Sequence, residues 1–288
     1  MEVLLKNLNT NEFIEFDNIN YILNQIVTDN CDTQHSTSKT IKQIGEYITS
    51  TNVNSRSISI IGYIFANSDL DMASKREKLL NITSPFSEVQ LVVNNKYQIK
   101  GKCDGLVKWA IGYDNNNSMF VKFMINILCP GTLWHNLNPT VVTSNSYIDE
   151  FKFKLSIPEE QGMIFAERVN NTISSIYNQC NVEVPMIITL TALKEISGIK
   201  ITNLTTGQFF SIDIKMKAED TLVINSEFGN KSVLLNGENV IGTVDILNST
   251  WLMLNPGLNE FTYECNEGNK YGFDAQIEYY ESYWGIVL

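Results

Sequence analysis

Pairs of acidic residues are the first groups in this sequence whose type and spacing suggest chemistry. Two carboxyl groups with different pKa values can cleave a glycosidic bond, one as an acid and the other as a base or nucleophile. Three pairs have suitable spacing: Asp69/Asp71, Glu159/Glu160 and Glu278/Glu281. We interpret the first as part of a helix cap, the second as an exposed loop after Pro158, and the third as solvated acids beside a tyrosine-rich strand. None of the pairs predicts a catalytic site.

Histidine and cysteine offer little for nucleophilic or metal chemistry. The two histidines, His35 and His135, are too few for a histidine-rich metal site. Five cysteines are far apart and form no Cys-x-x-Cys motif: Cys31, Cys103, Cys129, Cys180 and Cys265. We therefore expect reduced thiols. A nucleophile built from Cys129 and His135 is one interpretation, but a structural role of His135 between domains is the simpler one.

Motifs for nucleotides, hydrolysis and calcium are absent. The sequence contains no Gly-x-x-x-x-Gly-Lys-Ser/Thr, no Gly-x-Gly-x-x-Gly and no Gly-x-Ser-x-Gly. The run that begins at Asp114 resembles a calcium loop, but it lacks the glycine at its sixth position and has Ile125 in place of the last acid. We predict a polar hairpin tip there. The sequence thus predicts no catalytic residue, no cofactor, no metal site and no enzymatic activity.

Aromatic residues are concentrated in the last eighteen positions. They are Tyr271, Phe273, Tyr279, Tyr280, Tyr283 and Trp284. Such rings can stack on sugars, but they also fill sandwich cores and subunit interfaces. Strand alternation places Phe273, Ala275, Ile277 and Tyr279 on one face, which predicts a core face. Sugar binding by an exposed Trp251 or Trp284 is the alternative.

The charge balance argues against a clamp on nucleic acid. The chain of 288 residues has a formal net charge of −11, whereas binding without sequence preference relies on clustered Lys and Arg. No stretch approaches the ~20 apolar residues of a membrane span, and the first residues do not resemble a signal peptide. We expect a protein made in a cytoplasm, without membrane insertion or sequence-specific binding of nucleic acid.

Short alternating or β-branched runs dominate the chain and predict strands. They cover residues 3–5, 13–16, 57–61, 89–93, 120–125, 151–157, 186–193, 199–201, 209–216, 221–225, 232–235, 251–254, 260–264 and 273–280. Asn236-Gly237 predicts a two-residue hairpin turn, because both positions need a positive φ.

Two segments predict helices. Ser68 can cap a helix over residues 69–81 that Pro85 follows, with Asp71 completing a pattern like a capping box. Its predicted inward stripe consists of Leu70, Ala73, Leu79 and Leu80. The second predicted helix spans residues 37–49, with Ile41, Ile44 and Ile48 at helical spacing.

A polar, proline-containing stretch from Cys129 to Asp149 separates two strand-rich halves. Domain boundaries fall in such stretches. We therefore predict a mainly β protein of two β-sandwich domains, one over residues 1–145 that contains a helix and one over residues 146–288.

The order and spacing of these segments resemble the distal tail (Dit) protein family of long-tailed bacteriophages. In the N-terminal half the resemblance rests on Arg56 to Gly62, Lys75 to Leu80, Tyr97 to Gly101 and Ile127 to Pro130. In the C-terminal half it rests on Pro185 before a strand, Ile201 to Gly207, Asp220 to Asn225, Lys231 to Gly237 and Trp251 to Asn259.

This resemblance implies a ring-forming N-terminal β-sandwich and a galectin-like C-terminal β-sandwich, with no catalytic residues. It implies a hexameric ring at the tail tip that leaves a channel for DNA. The ring joins the tail tube protein to the tail-associated lysin or baseplate hub protein, and it often carries a receptor-binding protein. We therefore expect a structural protein, made in the bacterial host cytoplasm, of a virion tail tip or phage-tail-like particle.

Two other function classes are open at this point. A carbohydrate-binding host-adsorption protein would act through the C-terminal sandwich. A glycoside hydrolase would use carboxylates that the pairs above do not identify.

Overall fold

Antiparallel strand pairing organises the part of the chain that the computed structural model describes, residues 1–17, 19–143, 145–149, 166–170, 173–266 and 272–286. Within these ranges the protein is mainly β, as predicted, with one α-helix. Contacts divide the chain into two compact units, Met1–Asn138 with Ser282–Leu288, and Pro139–Glu281. The boundary between residues 145 and 146 stays a prediction about folding domains.

The first unit is built on one large sheet. Its elements are β1 (Val3–Asn7), β2 (Phe13–Glu15), β3 (Tyr21–Ser38), β4 (Tyr47–Phe65), α1 (Asp69–Ile82), β5 (Glu88–Val93), β6 (Tyr97–Cys103), β7 (Lys108–Trp109), β8 (Phe120–Cys129) and β9 (Trp134–Asn136). The strand order is β2-β1-β5-β6-β8-β4-β3, with β7 beside β8 and β9 beside β6. Strand alternation buries one face, so β8 contributes Val121, Phe123 and Ile125 to the core.

The helix α1 begins where its cap predicts. The Ser68 hydroxyl accepts a hydrogen bond from the backbone N–H of Asp71 at 3.2 Å. At the other end, the Asn7 side-chain amide donates to the carbonyls of Asn81 and Ile82. No helix in the described ranges is long and apolar enough to be a candidate for crossing a membrane.

The predicted inward stripe of α1 is right at Leu79 and wrong at its other three positions. The helix buries Met72, Leu79 and Ile82, whereas Leu70, Ala73 and Leu80 are exposed. The half-buried side chains of Lys75 and Arg76 lie between the buried positions. Long basic side chains cover apolar surface with their stems while their charged ends stay in water. A pattern that counts only apolar residues therefore selects the wrong face of this helix.

Residues 37–49, predicted as a helix, instead form the end of a long β-hairpin. Strands β3 and β4 pair as far as Ser38↔Tyr47, and the turn contains Lys42 and Gly45 with φ of 67° and 85°. Ile41 and Ile44 are 90% and 101% exposed, so the predicted apolar stripe packs on nothing. A short helix depends on the packing of its apolar face. Without that packing, the β-branched residues on both sides of the turn favour strand pairing.

The second unit contains two main sheets. Its elements are β10 (Thr140–Thr143), β11 (Asn145–Asp149), β12 (Ala166–Asn170), β13 (Ile173–Asn178), β14 (Val184–Ala192), β15 (Ile196–Asn203), β16 (Phe209–Met216), β17 (Thr221–Asn225), β18 (Ser232–Leu235), β19 (Glu238–Asn239), a 3₁₀ turn (Ile241–Thr243), β20 (Met253–Leu254), β21 (Gly257–Cys265) and β22 (Phe273–Tyr279). One sheet has the order β10-β22-β14-β17-β18-β19 with β20 beside β14, and the other has the order β13-β21-β15-β16. Strands β11 and β12 pair separately.

Side chains from both sheets meet in the core of the second unit. Tyr263 of β21 and Phe273 of β22 lie edge to face, with ring centres 5.9 Å apart. The sheets thus pack as a sandwich. The Asn236-Gly237 turn between β18 and β19 has the predicted positive φ values of 51° and 87°. The strand predicted over residues 151–157 lies outside the described residues.

The end of the chain returns to the first unit as β23 (Ser282–Tyr283), which pairs with β9. The Tyr283 ring lies edge to face with Tyr97, with ring centres 5.5 Å apart, and Ile286 packs against the core. The first unit is therefore assembled from two separate parts of the chain.

Candidate functional site

The acidic pair in α1 serves the helix, as predicted. The Asp71 carboxylate accepts from Lys75 Nζ at 2.9 Å and from the backbone N–H of Asn67 at 3.0 Å. The hydrogen bond from Lys75, followed by that from Asn67, lowers the pKa of Asp71. Asp69 lies in the same first turn, where acids favour the helix dipole. Glu159 and Glu160 lie outside the described residues.

Other carboxyl groups have pKa values shifted in the same direction. Burial acts to raise the pKa of Asp17, but hydrogen bonds from the backbone N–H groups of Ile19, Asn20 and Tyr21 outweigh it and lower the pKa to about 2. The side-chain amide of Asn236 lowers the pKa of Asp220. A glycosidase needs one acid with a raised pKa. Every carboxyl shift in the described part of the chain is downward.

The third acidic pair acts on neighbouring tyrosines. Burial, and after it the charge of Glu281, raises the pKa of Tyr279. Burial and the charge of Glu278 do the same for Tyr280. The two acids therefore lie beside phenol groups that are protonated at neutral pH.

The Cys129 thiol is unsuited to nucleophilic attack. Burial raises its pKa to about 12, although the nearby Arg56 charge acts to lower it, so the reactive thiolate is scarce. His135 Nδ1 lies 2.9 Å from Ser282 Oγ. Both residues belong to the first unit, so this bond does not support the predicted role of His135 between domains. Cys31, Cys103 and Cys129 are free thiols.

The loop that resembles a calcium site is a polar turn. Asn117 Oδ1 accepts from the backbone N–H groups of Met119 and Phe120 at 2.9 and 3.0 Å. Asn116 bonds to Arg76 and to the Ala110 carbonyl. Across the described ranges, no three His, Cys, Asp or Glu residues lie together as metal ligands.

Two of the aromatic residues near the C-terminus, Phe273 and Tyr279, lie in the core. Phe273, Ala275, Ile277 and Tyr279 are each at most 5% exposed, which confirms the predicted core face. Tyr271 lies outside the described residues.

Neither tryptophan that was proposed to stack on sugars sits in an open groove of the second unit. The Trp251 ring contacts Phe210, with ring centres 4.9 Å apart, and Lys231 Nζ lies over it at 5.5 Å. These contacts occupy ring surface that a sugar would need. Trp284 belongs to the first unit and is 45% exposed. Carbohydrate binding stays a prediction.

The most distinctive surface is the far end of the β3–β4 hairpin. Strand β4 pairs with β8 only from Arg56 onward, so residues 31–55 form a two-stranded ribbon, called the ribbon below. No residue from Asp32 to Val53 is buried. Its exposed apolar residues are Ile41, Ile44, Tyr47, Ile48 and Val53. An isolated two-stranded hairpin is at best marginally stable in water, and the ribbon has no buried side chain that would stabilise it.

Strand β3 is also an edge of the sheet of the first unit. Its pairing with β4 shifts register at four places, the last between Ser36 and Thr37. Register shifts of this kind twist a strand and limit unwanted pairing along an edge. The sequence prediction missed the ribbon, although the β-branched, Ser- and Thr-rich runs on both sides of Gly45 are a signal for it.

Two family models match the chain, one in each unit. The model described as a phage tail protein RIFT-related domain matches residues 14–129. The model described as the C-terminal domain of a siphovirus-type tail component matches residues 179–283. No curated protein matches the sequence.

Three solved structures share the fold. The crystal structure of SPP1 Dit, described as a paradigm of the hub adsorption apparatus in phages that infect Gram-positive bacteria, aligns with a TM-score of 0.68 at 11% identity over 97% of this chain and 98% of that one. Chains of the phage P2 baseplate in its activated conformation with Ca and with Sr align with TM-scores of 0.54 and 0.51, each at 8% identity over 97% of both chains. The two matched domains and this shared fold agree with the segments that the sequence resemblance rests on. The chain therefore belongs to the Dit family of siphophage tail components.

Proposed function

We propose that copies of this chain close into a hexameric ring at the tip of a phage tail. The ribbon is the observation that carries this proposal, since it has no core of its own and its outer edge is unpaired among the described strands. A closed ring needs two different patches on each copy. The ribbon of one copy, laid against the first unit of the next, supplies such a contact.

In this proposal the ring joins the tail tube protein to the tail-associated lysin or baseplate hub protein, and a receptor-binding protein attaches outside it. The shared fold with SPP1 Dit and with baseplate chains supports this place in the tail. The net charge of −11 suits a channel for DNA, because acids along the channel repel phosphate groups. The role is structural, without catalysis.

Light scattering coupled to size-exclusion chromatography, alone and with tail tube protein, tests the ring. We expect an assembly of six times the 32.7 kDa chain mass. Replacing Ile44 and Ile48 of the ribbon by Asp should leave monomers, because charged side chains cannot be buried in the contact. The matched control replaces Ile246 and Leu247, two exposed residues of the second unit, by Asp. A wild-type chain that stays monomeric and binds no tail tube protein contradicts the proposal.

A further inference from the structure

A buried arginine lies where the ribbon joins the sheet. Arg56 is 3% exposed. Its Nε donates to the Thr132 carbonyl at 2.8 Å and its Nη1 to the Thr28 carbonyl at 2.5 Å. Its Nη2 donates to the Trp284 carbonyl. The guanidinium thus holds together β3, the segment between β8 and β9, and the segment after β23.

All three acceptors are neutral carbonyl groups, and no acid of the described part of the chain forms an ion pair with Arg56. The ion pair found among the described residues, Lys75–Asp71, is elsewhere. Buried arginines are usually paired with an acid, because removal of a charge from water costs several kcal/mol. An anion that reached Arg56 would gain a strong interaction there.

A cavity of about 380 Å³ lies beside this residue. It is lined by Cys31, Thr33, Val53, Arg56 and Trp284. Val53 and Trp284 are 40% and 45% exposed, so the rim of the cavity meets solvent. A cavity with an apolar rim and one charged group inside has the usual composition of a small-ligand site.

The remaining donors define the ligand. A guanidinium carries five N–H groups, and three of them are used by the carbonyls. One N–H is left on each terminal nitrogen, and the two oxygens of a carboxylate can accept two hydrogen bonds from a guanidinium. Because the described residues of the lining include one cation and no second basic residue, the cavity suits a carboxylate with a single charge better than a phosphate. The apolar rim suits a carboxylate on a short apolar stem.

We propose that this cavity is a carboxylate-binding site in which Arg56 is the recognition residue. The carboxylate comes either from a small organic acid or from an Asp or Glu side chain of a second copy of this chain, which has 32 acidic residues. Both sources present the same group to the same donors.

A carboxylate introduced from within the chain tests the site. Val53→Glu places an acid in the cavity, and Val53→Gln is the matched neutral control. At low salt we expect the Glu variant to melt about 2–4 °C above the Gln variant, the shift that corresponds to one kcal/mol in a chain of this size. In an Arg56→Lys background the difference should shrink, because an ammonium group lacks the planar fork. Equal melting temperatures of the two Val53 variants contradict the proposal.

Free ligands test the same site without altering the fold. In calorimetric titrations of the full chain, sodium benzoate should bind saturably and at least about tenfold more tightly than benzamide, its neutral analogue, and it should not bind to Val53→Glu. Binding of the two compounds with equal affinity, or of neither, overturns the proposal. Ultracentrifugation then distinguishes the sources. If a second copy supplies the acid, benzoate weakens self-association; if a small acid does, self-association is unchanged.

Discussion

At the scale of single residues, two glycines control how closely the strands of the first unit approach one another. A Cβ atom on Gly101 of β6 would lie 2.5 Å from the Leu128 carbonyl oxygen and 3.0 Å from Cys129 Sγ. A Cβ atom on Gly62 of β4 would lie 2.7 Å from the Ile22 carbonyl oxygen. Neither glycine has a positive φ, so both are required for space and not for backbone conformation. Both belong to segments that carry the family resemblance.

The Gly101→Ala variant should lose stability. A methyl group forced against the β8 backbone costs about 1–3 kcal/mol of unfolding free energy, as overpacking typically does. Urea unfolding followed by circular dichroism measures the loss. Gly131→Ala is the matched control, since nothing lies within 4 Å of a Cβ atom there. Equal losses in the two variants would show that the close contact at Gly101 is unimportant.

Asp17 should make stability depend on acid pH. Its pKa is lowered from 3.8 to about 2 in the folded chain, so the unfolded chain binds the proton more readily. The stabilisation is therefore present above about pH 4 and is lost as pH falls through 2. Between these two pH values, the melting temperature should fall less steeply with falling pH for Asp17→Asn than for wild type. The control is Asp213→Asn, which removes the same charge at an exposed position of β16. If the melting temperature of this control fell as little with falling pH as that of Asp17→Asn, the effect could not be assigned to Asp17.

At the scale of elements, the segment after β22 completes the first unit. Strand β23 pairs with β9, Tyr283 packs against Tyr97, and Arg56 holds the Trp284 carbonyl. The helix α1 is held in a comparable way, since Asn7 of β1 caps its last turn. Both cases are contacts between elements that lie far apart in sequence. The first unit therefore depends on a segment that follows the whole of the second.

Truncation after Glu281 should weaken the first unit specifically. Loss of the β9 partner and of the apolar contacts of Tyr283 and Ile286 should lower its melting temperature by roughly 5 °C or more. Hydrogen exchange read by mass spectrometry should show less protection of β9, while β14 in the second unit serves as the internal control. Unchanged protection of β9 would contradict a structural role for β23.

At the scale of the whole molecule, the ribbon lies outside the folded core of the first unit. The core of the first unit is formed by residues outside the stretch 32–53. No residue within that stretch is buried. The ribbon adds exposed apolar residues that contribute nothing to that core. This distribution is costly for a monomer in water, but it is suited to a subunit whose neighbours cover the ribbon.

A chain in which an Asn-Gly turn replaces residues 32–53 should fold but not assemble. Because no buried side chain is removed, its unfolding free energy should stay within about 1 kcal/mol of wild type. Light scattering should report a monomer under conditions in which the full chain forms the proposed ring. Assembly of the shortened chain would place the main contact elsewhere, and a large loss of stability would show that the ribbon belongs to the core.

The elements that the sequence predicted correctly have local causes. The cap at Ser68, the Asn236-Gly237 turn and the alternation along β16, β17 and β22 each act within a few residues. The ribbon was missed because Ile41, Ile44 and Ile48 also fit the spacing of a helix. A helix and a strand are both compatible with these residues. The strand forms because a partner strand is present and no core lies beside the isoleucines.

The sequence by itself determined the mainly β class, the position of α1 and the lack of motifs for catalysis, because short-range patterning specifies these features. The tertiary structure alone decided that β23 joins the first unit and that Arg56 lines a cavity with no acid among its described lining residues. Arg56 and Trp284 are 228 positions apart, and no local pattern encodes a contact over that separation. Such contacts result from the packing of the complete chain.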